Sequence, residues 1–172
     1  NVGLQIRGHS APFSVDKTPP EVLEMPKLSM QFSLKPGTQY DRSVISLGWR
    51  FEDPESPVSS HSISVRTHHD SQGPVDSLLV GDVAQVTTTL SEASHLKDGN
   101  RYVASVTACN AGGLCSTGEA PEFLVDASAP HLGGFVDGLL WENSGTGSVV
   151  HLSWGGFDDA HSGIAVYYIM VS

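Results

Sequence analysis

Residues 96–115, LKDGNRYVASVTACNAGGLC, leave this chain few folds to choose from. Lys97, Asp98, Gly99 and Asn100 are turn formers, and beyond them Tyr102, Ala104, Val106 and Ala108 alternate with Arg101, Val103, Ser105 and Thr107. A period of two puts successive side chains on opposite faces, which is the mark of a half-buried strand. Gly112 and Gly113 follow, and glycine supplies the positive φ that a tight reversal needs, so a hairpin is expected. Across such a turn Cys109 and Cys115 come within disulfide reach, and they are the only cysteines in the chain. They are expected to pair; the alternative is two reduced, partly buried thiols. A zinc site is excluded, because no His pair stands at finger spacing.

Leu96 lies six residues before Tyr102, a spacing that lets the ring pack beneath the preceding loop while its hydroxyl reaches back to backbone, as in a tyrosine corner. The rest of the chain reads the same way. Residues 18–32 give an irregular first strand, since Pro19, Pro20 and Pro26 cannot donate to a ladder. Residues 43–49 form the second, with Ile45, Leu47 and Trp49 on one face, and 51–60 the loop after it. The third covers 61–67 with Ile63 and Val65 inward; 68–76 turn, 77–80 form a short edge strand, and 84–90 carry Val86 and Leu90 toward the core. Residues 117–125 make the last strand. Seven short strands with turns between them predict an all-β, antiparallel sandwich, with Trp49 between its sheets. Burying that ring is worth ~2–3 kcal/mol by area.

Composition agrees: Ser, Thr, Val, Gly and Pro favour short strands and turns. The 172 residues suffice for one good domain or two small ones. A formal net charge of −10 without any Lys or Arg cluster argues against nucleic acid, which needs a basic face. No run of eighteen apolar residues occurs, and the first ten residues lack the basic start and apolar core of a signal peptide.

The sequence also repeats itself. GHSAPFSVDKTPP (8–20) aligns with GEAPEFLVDASAP (118–130), placing Phe13 on Phe123, Val15 on Val125, Asp16 on Asp126 and Pro20 on Pro130 at an offset of 110. Ile45, Leu47 and Trp49 fall on Val150, Leu152 and Trp154 at an offset of 105; one extra glycine then moves Ile63 and Val65 onto Ile169 and Val171 at 106. Asn1, Gly3 and Leu4 resemble Asn110, Gly113 and Leu114. The expected division is therefore 1–14 as the end of one repeat, 15–124 as a complete repeat, and 125–172 as the first three strands of another.

The pattern L-x-D-G-x-x-Y-x-x-x-V-x-A-C-N-x-x-G-L-C-S (96–116), then V-D-x-S-x-P (125–130) and W-x-x-F-x-D-x-x-S-G-I (154–164), resembles the fibronectin type III-like repeats of large extracellular proteins. These motifs specify an immunoglobulin-like scaffold and carry no catalytic group. The resemblance implies a secreted or cell-surface setting, which a disulfide suits, and a core built on Trp49, Leu96, Tyr102 and, in the second copy, Trp154. SVDKTPP and LVDASAP are short and Pro-marked, so the joints should be stiff. The expected function is a structural tandem-repeat module: a spacer, adhesion element or fibre-forming scaffold. Its partners would be neighbouring repeats and possible further copies in a fibre or matrix, through edge strands of the first, third and last type. The competing class is a ligand-binding ectodomain of a receptor, using loops 52–60 and 110–116.

Asp53 and Glu55, beside Glu52, and Asp158 and Asp159 in the second copy are the candidate calcium ligands, since hard cations take several loop oxygens. Carboxylates accepting backbone N–H groups to fix the loop are the plainer reading, because the spacing offers only two at a time. Asp16 and Asp126 stand where a cap for the joint is needed. His68, His69 and Asp70 form a polar turn. Gly113 and Gly118 have the outer spacing of a phosphate loop, but Glu119 stands where its lysine belongs. No G-x-S-x-G or H-E-x-x-H occurs, so no enzyme and no cofactor are expected. Asn1, Asn100, Asn110 and Asn143 all lack Ser or Thr two residues on, so N-glycosylation has no acceptor.

Overall fold

A computed structural model of the chain describes residues 8–9, 11, 15–29, 35–68, 76–81, 85–90, 95–132, 136–144 and 147–170; at 76–81, 85, 136–144 and 147–150 the backbone alone is described. His69 and Asp70 of the polar turn, most of 1–14, the end of the expected first strand at 30–32, Ala84, and Val171 lie outside the described residues.

Strand β3 (Val44–Glu52) shows why the alternation matters, because Ile45, Leu47, Trp49 and Phe51 are buried while the residues between them are not. It is the middle strand of a three-stranded antiparallel sheet, flanked by β1 (Glu21–Leu28) and β6 (Gln85–Thr89). Leu47 sits opposite Val86 in one ladder and Leu28 in the other. The β1 register slips twice, between Val22 and Lys27, where Pro26 has no N–H to give.

The second sheet is built on β7 (Arg101–Asn110), which pairs antiparallel with β4 (Val58–Thr67), so that Ile63 meets Val106 and Val65 meets Ala104. β5 (Asp76–Gly81) extends that sheet beyond β4. On the other side of β7 run β8 (Cys115–Glu119) and β9 (Phe123–Val125), and a two-residue strand β2 (Thr38–Gln39) lies parallel to β9. The two sheets pack face to face around Ile45, Leu47, Trp49, Ile63, Tyr102 and Phe123. No helix occurs among the described residues. Pro26 reaches from β1 to β8, where a Cβ on the buried Gly118 would stand only 2.8 Å from Pro26 Cδ.

Cys109 and Cys115 face each other across the β7–β8 turn, with Cα atoms 4.1 Å apart, and form the disulfide. Gly113 takes φ +81° in that turn. At the other end of β7 the Tyr102 hydroxyl accepts the Lys97 N–H at 2.8 Å over the buried Leu96.

Several expectations need correcting. The loop after β3 covers only 53–57, because Val58, Ser59 and Ser60 already belong to β4. The last strand is two pieces, since 120–122 leave the ladder around Pro121, which cannot donate to it. β4 is not an edge: β5 and β7 pair with it on both sides.

In the C-terminal part, β10 (Val136–Ser144) and β11 (Gly147–Trp154) form a separate antiparallel ribbon. The third strand expected there is not seen among the described residues, where 163–170 run without strand structure. Trp154, expected in a core, is exposed, because among the described residues no second sheet lies over this ribbon.

Candidate functional site

The residues that concentrate hydrogen bonds lie where 15–18 and 125–131 meet the loops after β3 and β11. In V-D-K-T, Asp16 Oδ1 accepts the Thr18 N–H at 3.2 Å; in V-D-A-S, Asp126 Oδ1 accepts the Ser128 N–H at 3.3 Å and its hydroxyl at 2.9 Å. These are Asx-type caps, in which a short carboxylate closes on backbone two residues ahead.

The facing loops are capped in the same way. Asp53 Oδ1 accepts the N–H groups of Glu55 (2.8 Å) and Ser56 (3.0 Å). Asp159 Oδ1 accepts those of His161 (3.1 Å), Ser162 (2.9 Å) and Gly163 (3.0 Å). The serine then bridges to the linker in both places: Ser56 Oγ donates to Asp16 Oδ2, and the Ser162 N–H donates to Asp126 Oδ2 at 3.0 Å. Ser162 lies 106 residues after Ser56, the offset already found for Ile63 and Ile169.

Each joint has its own reinforcement. At the first, Asn110 is almost fully buried, and its Nδ2 donates to Asp16 Oδ2 (2.6 Å), Asp53 Oδ2 (2.9 Å) and Thr18 O (3.0 Å), while its Oδ1 accepts the Leu114 N–H at 2.9 Å. Glu55 Oε2 accepts the Lys17 N–H (2.9 Å) and the Thr18 hydroxyl (3.0 Å). At the second, Asp98 Oδ1 accepts the Ala127 N–H at 2.7 Å, and its Oδ2 lies 3.4 Å from His161 Nε2. Gly99 makes that approach possible, because its φ is +76° and a Cβ there would stand 2.6 Å from the imidazole Cε1. Lys35 Nζ donates to Ser162 O, and the His131 N–H to Asp158 O at 2.7 Å.

These bonds tune the carboxylates. The Asn110 amide, followed by the Ser56 N–H, holds the Asp53 carboxyl below its ordinary value. The Lys17 N–H and then the Thr18 hydroxyl do the same for Glu55. At Asp126 burial pushes the carboxyl up, but hydrogen bonds from Ser162 and Ser128 outweigh it, and the net shift is downward.

Of the four calcium candidates, Asp53, Glu55 and Asp159 direct oxygens at N–H groups of the joints. Asp158 is exposed and enters through its main chain. Among the described residues no group of three or more His, Cys, Asp or Glu is placed to hold a metal ion. His68 sits apart, 3.2 Å from Glu122, which also pairs with Arg101.

A cleft of about 260 Å³ opens beside the second joint between Lys35, Tyr40, Asp126, Pro130, Asp159 and Ile164. Sequence reasoning passed over Asn110, Ser56, Ser162 and Asp98 as joint residues. The internal alignment carried the signal for Ser56 and Ser162, while Asn110 and Asp98 sit in turns where side-chain partners leave no periodic trace.

The aromatic residues repeat as well. In the body, His61 packs against Trp49 (ring centroids 5.5 Å apart) and Phe51 (5.9 Å); in the C-terminal part Tyr167 packs against Trp154 (5.6 Å) and Phe157 (5.9 Å). Trp49 and His61 are each 4 % exposed, whereas Trp154 is 41 % and Tyr167 47 % exposed.

The class that these features define is an all-β chain of two packed sheets, antiparallel apart from the short β2–β9 pairing, with one disulfide. No protein-family model and no curated protein matches it. Among the described residues no helix is long and apolar enough to cross a membrane.

Proposed function

We propose that this chain is a segment of a tandem array of fibronectin type III-like, immunoglobulin-like sandwich repeats, and that its work is structural: an extracellular spacer, adhesion element or fibre-forming scaffold. The observation that carries this is the pair of like joints. An Asp-to-Ser bridge recurs, through the Ser56 hydroxyl to Asp16 and through the Ser162 backbone N–H to Asp126, in segments that the sequence alignment had already matched. A binding loop needs exposed, adaptable groups, whereas here the polar groups of the loops are turned on the linker, as a stiff connector requires. The disulfide fits an oxidising compartment.

Residual dipolar couplings test stiffness directly. One alignment tensor should fit both 20–125 and 136–164 in the wild-type chain, and two should be needed in Asp126→Ala. Two tensors in the wild type would remove the rigid spacer and favour an ectodomain with independently moving units.

A further inference from the structure

Asn110, almost fully buried, sits inside the loop that the disulfide closes. Its side-chain amide carries two hydrogens yet serves three acceptors, Asp16 Oδ2, Asp53 Oδ2 and Thr18 O. Sharing of that kind tolerates little movement, because hydrogen bonds weaken steeply as they bend. The turn around Asn110 leans on both neighbours of the joint. The Ala111 N–H donates to Pro57 O at 3.3 Å, and a Cβ on Gly112 would stand 3.5 Å from Asp16 Cβ. Hydrogen bonds also hold the turn to itself: Asn110 N–H to Leu114 O and Gly113 N–H to Asn110 O at 3.0 Å each, and Leu114 N–H to Asn110 Oδ1 at 2.9 Å. Ala111, Gly112 and Gly113 are exposed, and bonds at an exposed turn are the first to open. The disulfide brackets these bonds, and with a sequence separation of 6 it restrains this small loop rather than the whole chain.

We infer that the Cys109–Cys115 bond is a positioning bond that holds Asn110 on the linker, so that a dithiol able to reduce it loosens the first joint while the sandwich stays folded. This rests on the tandem-repeat reading, since that makes 15–18 a joint. Cys115 is exposed and Cys109 only half-buried, so the Cys115 sulfur is the one open to attack. A thiolate of the dithiol bonds to Cys115 Sγ, and Cys109 leaves as its thiolate. The second thiolate of the dithiol then displaces Cys115 and closes a disulfide of its own. Two electrons pass from the dithiol to the protein, and the two protons of the dithiol end on the cysteines. The rest of the hairpin does not need the bond. Gly118 of β8 lies beneath Pro26, and the Thr107 and Thr117 hydroxyls meet across the ladder at 2.7 Å. Reduction therefore acts where the turn touches Asp16 and Asp53, and leaves the core around Trp49 and Tyr102 in place.

The test is hydrogen exchange by NMR on the full 172-residue chain at pH 7, before and after dithiothreitol and without denaturant. Reduction should speed exchange at the Asn110 side-chain amide and the Leu114 N–H at least tenfold. The Val106 N–H in the core, and those of Ala127 and Ser162 at the second joint, should keep their rates. The Cys109→Ser, Cys115→Ser double variant should reproduce the reduced chain. In an acid titration of that variant the Asp53 carboxyl, which the Asn110 amide holds low, should titrate closer to the ordinary value. With Asn110→Ala the key is already gone, so reduction should leave the Asp53 carboxyl where that substitution has put it. Unchanged exchange at Asn110 and Leu114 after full reduction overturns the inference. So does protection lost throughout the body, because the bond then serves the fold and not the joint. The repeat reading is judged apart: two alignment tensors in the wild type remove the rigid spacer, whereas unchanged exchange with a single tensor sinks this inference alone.

Discussion

At Gly118 a glycine is required by what stands over it. Pro26 comes so close that a methyl group at this position would overlap its ring. Gly118→Ala should therefore cost about 1–3 kcal/mol as overpacking, read as a lower urea midpoint with an unchanged slope. Combining it with Pro26→Ala should cost less than the two separate effects added together. Nothing in the local sequence shows this contact: Gly118 offers only a failed match to a phosphate loop, and its neighbour comes from a strand far earlier in the chain. Tyr102 and Leu96 were legible, because both ends of their contact lie within one turn and its strand, and the Lys97 N–H completes it. Asn110 was not, because its partners Asp16, Thr18 and Asp53 are brought to it only by the assembled fold.

The strands came through their alternation, and they erred where alternation is silent about partners. β3 and β11 share an apolar pattern, yet among the described residues only β3 has an opposing sheet. Trp49→Ala should accordingly cost about 3–5 kcal/mol, and Trp154→Ala less than about 1 kcal/mol, in equilibrium unfolding followed by circular dichroism. Similar costs at both positions would mean that the ribbon is covered. Trp49→Phe should be milder than Trp49→Ala, since the indole Nε1 finds no acceptor among the described residues and its removal relieves a buried donor. The third strand expected in the C-terminal part, with Ile169 and Val171 as its counterparts of Ile63 and Val65, is not seen among the described residues: β4 is held from both edges, whereas no ladder to 163–170 is described on either. Local pattern did suffice for the hairpin, where Cys109 and Cys115 are directly opposed. Their bond closes a loop with a sequence separation of only 6, so the Cys109→Ala, Cys115→Ala double variant should lose about 2 kcal/mol, the low end for such bonds, in urea denaturation.

At the scale of the whole molecule, the proposed stiffness of the joints should depend on acid, because carboxylates cap them. Asp53, Glu55 and Asp126 all have carboxyls held below the ordinary values of 3.8 for Asp and 4.5 for Glu. A carboxyl whose folded pKa lies below its unfolded one binds a proton more readily once the joint opens. Its contribution is complete above the ordinary values and is lost as pH falls through them toward the lower folded ones. The unfolding midpoint should thus hold steady from about pH 7 to 5 and decline below about 4.5, with the single alignment tensor separating into two as the caps are protonated. Asp126→Asn separates this from general charging of an acidic chain. An amide keeps an acceptor for Ser162 and Ser128 but cannot titrate, so the second joint should lose its share of the acid dependence while net charge changes by only one unit. If the wild type and Asp126→Asn lose their common tensor at the same pH, the carboxylate cap is not what holds the joint. The rigidity would then have to come from the proline linker and the Asp98–His161 contact.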